Sequence, residues 1–470
     1  MVNGVRWKTS LVALTMALLA SACGARVTDA QRASLDQGRA TNLASGPAEA
    51  DAASSPSDAT GPGTPAAPGA STGAPGAVAG ATATRAPTGG NGGATDVGVT
   101  GDAITLGTVT TLSGPVPGLF QGASIGAQAF AAYINSQGGV FGRKLKIKVG
   151  DDQLDAGQNR AQTEELSHGV FAFLGSFSTY DDAGQPTLER QGIPDIGYGL
   201  TDVRRASPVN FSPQPAKSGT FRTGPFLYYA QHFPDAVKAM GTIYGDVPAS
   251  KGAALDSMAA AQSVGWHYVY QRGYQPTETD FTADVIRMRQ AGVKGFYTTS
   301  ADPKTLARLF NAMKQQNFRP EFIGIGASGY DPVIPAIAGA AAEGVYVDQQ
   351  LALYAGGDAA TVPEVALMNQ WVQKVKPGWK PDLYTAFAWA SGRMLEQALQ
   401  TTGPHLTRKG MLASLQKIDQ FDGNGLLAPS GPASKRQATC DVFMKIQGGQ
   451  FVRLDPAKGF LCNGTIFARH

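Results

Sequence analysis

Hydrophobic positions along this chain switch period again and again. ITLGTVTTL (104–112) is a β-branched apolar run of strand length. It leads through SGPVPGLFQ into GASIGAQAFAAYINSQGG, where Ile125, Phe130, Tyr133 and Ile134 share one face of a helix. KLKIKV then places Leu145, Ile147 and Val149 on one side and three lysines on the other, the pattern of an edge strand. A helix over 158–166, strand FAFLG, a helix over 181–191 and short strand DIG follow. A second series runs MGTIYG, a helix over 250–264, HYVYQ, and a helix carrying Phe281, Val285 and Met288. It continues with GFYTT, a helix carrying Leu306, Phe310 and Met313, then FIGIG, a short helix near Pro332, and GVYVD. Such alternation predicts an α/β protein with parallel sheets covered by helices on both faces, and two series predict two lobes. In open sheets of this kind ligands sit beyond the carboxyl ends of the strands.

The segment ahead of this pattern has a different character. Arg6 and Lys8 precede LVALTMALLA and then Ser21, Ala22 and Cys23. This reads as a secretory signal over 1–22, too short to span a bilayer. Cys23 after small residues resembles a bacterial lipobox, although Ala20 stands where that pattern prefers leucine, and ordinary cleavage after Ala22 is the alternative. Residues 23–99 are almost all Ala, Gly, Pro, Ser and Thr, with too little apolar surface to offset chain entropy, so a disordered tether is expected. A coil of about seventy residues reaches on the order of 40–50 Å. The expected location is therefore extracytoplasmic, at the outer face of the cell membrane through a lipidated Cys23.

From residue 100 onward about 370 residues exceed one comfortable core, which again favours two lobes. A net charge of +3 with 16% charged residues carries no basic patch, so nucleic acid is excluded as a partner. Of three cysteines, Cys23 is the lipid candidate and leaves Cys440 and Cys462 as one pair. They flank CDVFMKIQGGQFVRLDPAKGFLC, two strands around Gly448 and Gly449 plus a return segment, and an exported protein favours a disulfide there over two buried thiols.

Three strings with chemical overtones reduce to structure. GASIG (122–126) matches a nucleophile elbow, but Pro115, Pro117 and Gly118 separate Ser124 from the strand, so small residues packing a helix against a sheet is the better reading. GIGASG (324–329) fits a dinucleotide fingerprint, with Asp348 near the position of a ribose-binding acid. Pro332 and Pro335 disturb the helix that would hold pyrophosphate, however, and no cofactor is expected. His168, His232, His267, His405 and His470 are scattered, and Asp151, Asp152 and Asp155 lack the glycine and glutamate of a calcium loop, so no metal is expected.

One cluster remains. In FLGSFSTYDDAGQP (173–186) an apolar strand ends in Ser176, Ser178, Thr179 and Tyr180, followed by Asp181 and Asp182 suited to a helix start. Hydroxyls beside unpaired helix N–H groups suit a carboxylate or another electronegative group, and equally suit simple capping.

ITLGTVTTLSGPVPG, AAYINSQGGVFGRKLKIKVGDDQLD, FLGSFSTYDDAGQPTLERQGIPDIGYG, TDFTADVIRMRQAGVKGFY and AAEGVYVD occur in this order. The chain from 100 to about 425 resembles the substrate-binding proteins of branched-chain amino acid ABC importers, the leucine/isoleucine/valine-binding protein family. The resemblance implies a type I periplasmic binding protein fold, two α/β lobes joined by three crossings and closing on a small ligand. Lobe 1 would hold 100–222 with a return segment over 349–425, and lobe 2 would hold 223–348 with 426–470. It implies a monomeric receptor that delivers its ligand to a membrane permease and catalyses nothing. Carried across, Ser178 and Thr179 hold the ligand carboxylate, Tyr198, Leu200 and Thr201 form a second contact loop, and Phe120 or Leu119 roofs the cleft. The pattern departs from the family where Ala249 and Ser300 replace tyrosines, and where Gly326 replaces the acid that pairs with an amino-acid ammonium. The expected ligand therefore lacks an ammonium group. A carboxylate with an apolar or aromatic body, or a neutral amide, suits Ser178, Thr179, Tyr198, Ser300 and Tyr330. The rival readings are a sensor of the same fold with a membrane signalling partner, and a secreted hydrolase using Ser124.

Overall fold

The computed structural model describes residues 90–469, so the signal segment, Cys23 and most of the expected tether lie outside the described residues. The first lobe runs β1 (Ala103–Thr110), α1 (Gln121–Ser136), β2 (Lys144–Asp151), α2 (Ala156–Ser167), β3 (Ala172–Leu174), α3 (Gln185–Arg190), β4 (Asp195–Ile196), α4 (Asp202–Ala206) and β5 (Asn210–Phe211). Its strands form one parallel sheet in the order β2-β1-β3-β4-β5. β2 is at the edge with Lys144, Lys146 and Lys148 exposed, as its alternation implies.

The chain then gives β6 (Thr220–Arg222), α5 (Gly224–His232), β7 (Met240–Gly245), α6 (Pro248–Ser263), β8 (Tyr268–Tyr274), α7 (Thr282–Gln290), β9 (Gly295–Thr298), α8 (Pro303–Gln315), β10 (Phe322–Ile325), α9 (Val333–Ala338) and β11 (Tyr346–Gln349). It returns through α10 (Pro363–Val375), α11 (Leu383–Thr402) and α12 (Arg408–Leu415), and ends in β12 (Val442–Gln447), β13 (Gln450–Asp455) and β14 (Ile466–Ala468). The second sheet has the order β13-β12-β11-β10-β9-β7-β8, with β7 to β11 parallel and the β12–β13 hairpin antiparallel. Gly448 (φ 58°) and Gly449 (φ 72°) make the two-residue hairpin turn, which needs positive φ at both positions. β14 pairs with β6.

Two expectations shift. Residues 90–99, given to the tether by composition, belong to the folded part. The buried Arg143 donates to the carbonyls of Thr100 (2.7 Å), Gly93 (2.9 Å) and Pro404 (2.9 Å), and Asp96 accepts from Arg408 N at 2.6 Å. One guanidinium thus satisfies the carbonyls of a segment that buries little apolar surface beyond Val99. The helix expected at 181 begins at Gln185 instead, because Asp181 turns inward toward another loop.

GASIG lies inside α1, and its glycines do bring a helix close to a partner. That partner is α11 rather than the sheet: a Cβ at Gly122 would meet Asp382 Oδ1 at 1.9 Å, and one at Gly126 would meet Thr385 O at 2.4 Å. Phe130 of α1 then meets Trp389 of α11 edge-on at 5.3 Å.

Between the sheets the chain crosses after β5, after β11 and before β12, and a single side chain touches all three passages. Arg222 of β6 donates from Nη2 to Asp348 Oδ2 at 3.0 Å and from Nε to Asp441 Oδ1 at 2.5 Å. Tyr297 donates its hydroxyl to Asp348 at 3.0 Å. Both carboxylates have no exposed surface, and Asp441 Oδ2 has no hydrogen-bond partner among the described residues. Burial pushes Asp441 up to about 7 and Asp348 up to about 6, against the pull of Arg222.

A folded pKa above the unfolded one stabilises the protein below the ordinary carboxylate range, and that contribution is lost as pH rises through the folded value. Asp441→Asn should therefore melt progressively higher relative to the parent as pH rises from about 4 to about 7, and by a constant margin above that. Melting temperatures measured in parallel across that range check this, and a pH-independent difference would refute it.

Cys440 and Cys462 are bonded across a separation of 22 residues. Closing such a loop is worth about 3 kcal/mol by chain entropy. Reduction should lower stability by that order, and thiol titration of the unfolded, unreduced protein should find neither cysteine free.

Candidate ligand-binding cavity

A cavity of about 250 Å³ opens between the lobes, beyond the carboxyl ends of both sets of parallel strands. Its first-lobe wall is aromatic. Phe177, in the loop after β3, packs on Phe120 at 5.3 Å and on Tyr384 at 4.8 Å, and stacks on Tyr198 at 5.8 Å. Tyr198 in turn stacks on Phe387 at 4.7 Å. Tyr384 and Phe387 come from α11, which reaches this wall because Gly175 has no Cβ. One there would stand 2.8 Å from Ala388 Cβ, and φ at Gly175 is 65°.

The hydroxyl cluster splits. Ser178 is buried, accepts from Tyr180 N at 3.0 Å and is outside the lining, so it serves its own turn. Thr179 lines the cavity, and its buried Oγ1 has no hydrogen-bond partner among the described residues.

The second loop is already occupied. Asp181 accepts from Leu200 N at 2.7 Å, from Thr201 N at 3.0 Å and from the Thr201 hydroxyl. Arg204 braces it at 3.3 Å and holds Asp195 with two bonds of 2.8 Å. Backbone groups and a hydroxyl of the second contact loop are therefore bound to a carboxylate of the chain itself. Leu200 still presents its side chain to the cavity, while Thr201 caps α4 and does not line it.

From the second lobe come Gly245, Ala249, Tyr274, Ser300 and Gly326. Ser300 Oγ lies 3.2 Å from Thr299 Oγ1. Asp302 is the one carboxylate in the lining. It caps α8 by accepting from Thr305 N at 2.9 Å, and it also accepts from the Tyr274 hydroxyl at 3.2 Å. Tyr330 is elsewhere, buried between Tyr354 (4.7 Å) and Phe451 (4.8 Å). Phe120, Thr179, Tyr198, Leu200 and Ser300 are thus brought together, and Ser178, Thr201 and Tyr330 are not. Tyr384, Phe387, Tyr274 and two arginines, Arg205 and Arg222, also belong to the lining without having stood out in the sequence.

The family model for periplasmic binding proteins matches residues 103–451. This chain belongs to the periplasmic binding protein family. Its relatives are solute-binding proteins rather than enzymes, and the family is extracytoplasmic. The Leu/Ile/Val-binding protein homolog 1 of Brucella suis is 27% identical over 306 residues, which are 61% of this chain and 76% of that protein. Among solved structures, a fatty acid ABC transporter substrate-binding protein from Thermomonospora curvata superposes with a TM-score of 0.67 at 20% identity, over 78% of this chain and 94% of that one. A branched-chain amino acid ABC transporter protein from Thermus thermophilus with bound valine gives 0.66 at 16% identity, over 77% and 97%. These likenesses establish the type I periplasmic binding protein fold.

The other motifs of this family member are structural. Ser124 donates to Gln121 O at 2.9 Å within α1. GIGASG leaves β10 into a single tight turn, and the helix begins only at Val333. Asp348 is engaged by Arg222 and Tyr297. Asp151, Asp152 and Asp155 hold loop N–H groups and the start of α2. No group of three or more metal-ligating side chains occurs among the described residues, and none of their helices is long and apolar enough to cross a membrane. Asp331, the nearest acid downstream of Gly326 in sequence, caps Val333 N at 2.8 Å and lies outside this cavity.

The split between the two hydroxyls is testable by melting alone. Ser178→Ala removes a satisfied turn bond and should cost roughly 1 kcal/mol, whereas Thr179→Val removes an orphaned buried hydroxyl and should be neutral or stabilising. Equal losses in both variants would show that Thr179 has a partner in the unliganded protein.

Proposed function

We propose that this chain is the solute-binding lipoprotein of an ABC importer. Anchored through Cys23 and acting as a monomer, it captures a small ligand between the lobe of 100–222 with 349–425 and the lobe of 223–348 with 426–470. It then delivers that ligand to a membrane permease. The ligand has an apolar or aromatic body and a carboxylate or amide head.

The observation that carries this reading is the cavity lining. Five packed rings form one wall, and Thr179 offers a hydroxyl with no hydrogen-bond partner among the described residues. A zwitterionic amino acid would need a free carboxylate for its ammonium, because an unpaired buried charge costs several kcal/mol. Asp302 is committed to α8 and Tyr274. At Gly326 a side chain would press on Thr299 at 3.1–3.3 Å. The fatty-acid ligand named for the Thermomonospora relative supports an apolar acid, and the amino-acid name of the Brucella relative is outweighed by these departures.

Calorimetry of the full chain with leucine and with hexanoate, octanoate and phenylacetate tests the reading. At least one acid should bind in the micromolar range, and leucine at least about tenfold more weakly. Thr179→Val should weaken the acid by about tenfold, the loss of a hydrogen bond to a charged group. Micromolar binding of leucine would overturn the assignment.

A further inference from the structure

Arg222 is placed unlike any other cation in the lobes. It lines the ligand cavity, yet it is also the side chain on which the three crossings converge. Its Nε and Nη2 are committed to Asp441 and Asp348, and no hydrogen bond from Nη1 occurs among the described residues. The side chain retains 12% exposure while both carboxylates retain none, so ligand-accessible surface of this cluster belongs to the cation. Two carboxylates share this one guanidinium, so the cluster carries more negative than positive charge when both acids are ionised, and Asp441 Oδ2 has no hydrogen-bond partner among the described residues.

Arg205, the other cation in the lining, is tied to Gly199 O at 2.9 Å and lies 3.6 Å from Asp202. The Thr201 hydroxyl and the N–H groups of Leu200 and Thr201 in the second loop are spent on Asp181. Among the polar groups of the lining, Thr179 brings a neutral hydroxyl with no hydrogen-bond partner among the described residues, and Arg222 brings a charged edge.

We infer that Arg222 reads the charge of the ligand: its unpaired edge takes the carboxylate of an apolar monocarboxylic acid, with Asp348 and Asp441 setting how strongly. This rests on the proposed apolar-ligand function and narrows the head group from carboxylate or amide to carboxylate. The two hinge acids compete with the ligand for one guanidinium. Removing one of their charges should therefore favour an anionic ligand and leave a neutral one indifferent. A direct consequence is that occupancy is sensed at the crossings, where the lobes pivot.

The test uses matched pairs, hexanoate with hexanamide, octanoate with octanamide and phenylacetate with phenylacetamide, titrated into the full chain. The parent should bind an acid at least about tenfold more tightly than its amide, as a charge-assisted bond requires. Arg222→Gln should abolish that preference. Because this variant strands two buried carboxylates and can fail to fold, Asp441→Asn supplies the second arm. It should tighten acids several-fold, by about the gain expected from removing one neighbouring like charge, with amides unchanged. A parent that prefers amides, or an Asp441→Asn variant that shifts acids and amides equally, overturns the role of Arg222 and leaves the apolar-ligand reading standing. Failure of every acid and every amide to bind overturns that reading and the role of Arg222 with it.

Discussion

A single guanidinium shared by two buried carboxylates governs how the two lobes are joined. Arg222, Asp348 and Asp441 come from three passages of the chain, and each is expensive to bury alone. Loss of water raises both acids despite the arginine, and for Asp441 the neighbouring Asp348 adds to the rise. The passages cannot drift apart without stranding a charge, so the cluster fixes where they meet while leaving the sheets on either side free to be built independently. The tyrosines around it, Tyr297 foremost, keep water away and supply the remaining donor.

The cavity follows from a similar economy of donors. The loop after β4 offers N–H groups suited to an anion, and Asp181 of the same lobe has taken them. That contact orders the loop from within the chain, beside the stack of Phe177, Tyr198 and Phe387. Apolar walls favour ligands for the surface they bury, and leave selectivity to the few polar groups set among them.

Much of the architecture is written in local patterns. The lysine-lined alternation of KLKIKV marks an edge strand, and Gly448 with Gly449 marks a hairpin, because each feature depends on neighbours in sequence. The cavity is less legible. Thr179 and Ser178 are adjacent and chemically alike, and only the backbone turn decides which of them faces the ligand. Tyr384 and Phe387 sit in LYTAFAWA, apolar on nearly every face, where no periodicity separates a cavity ring from a core ring. Arg222 meets its partners across 126 and 219 residues, a spacing that carries no signal in one sequence. Asp181 reads as a helix start because that is its commonest use, and a loop twenty residues away claimed it instead.

Arg143 holds residues 90–99 against the first lobe through their carbonyls. The chain therefore enters the folded part at a point reinforced on one lobe only, beside the edge strand β2 and far in topology from the crossings. A pull on the chain ahead of this point would load the first lobe through Arg143 and leave the Arg222 cluster, on other elements, out of its path.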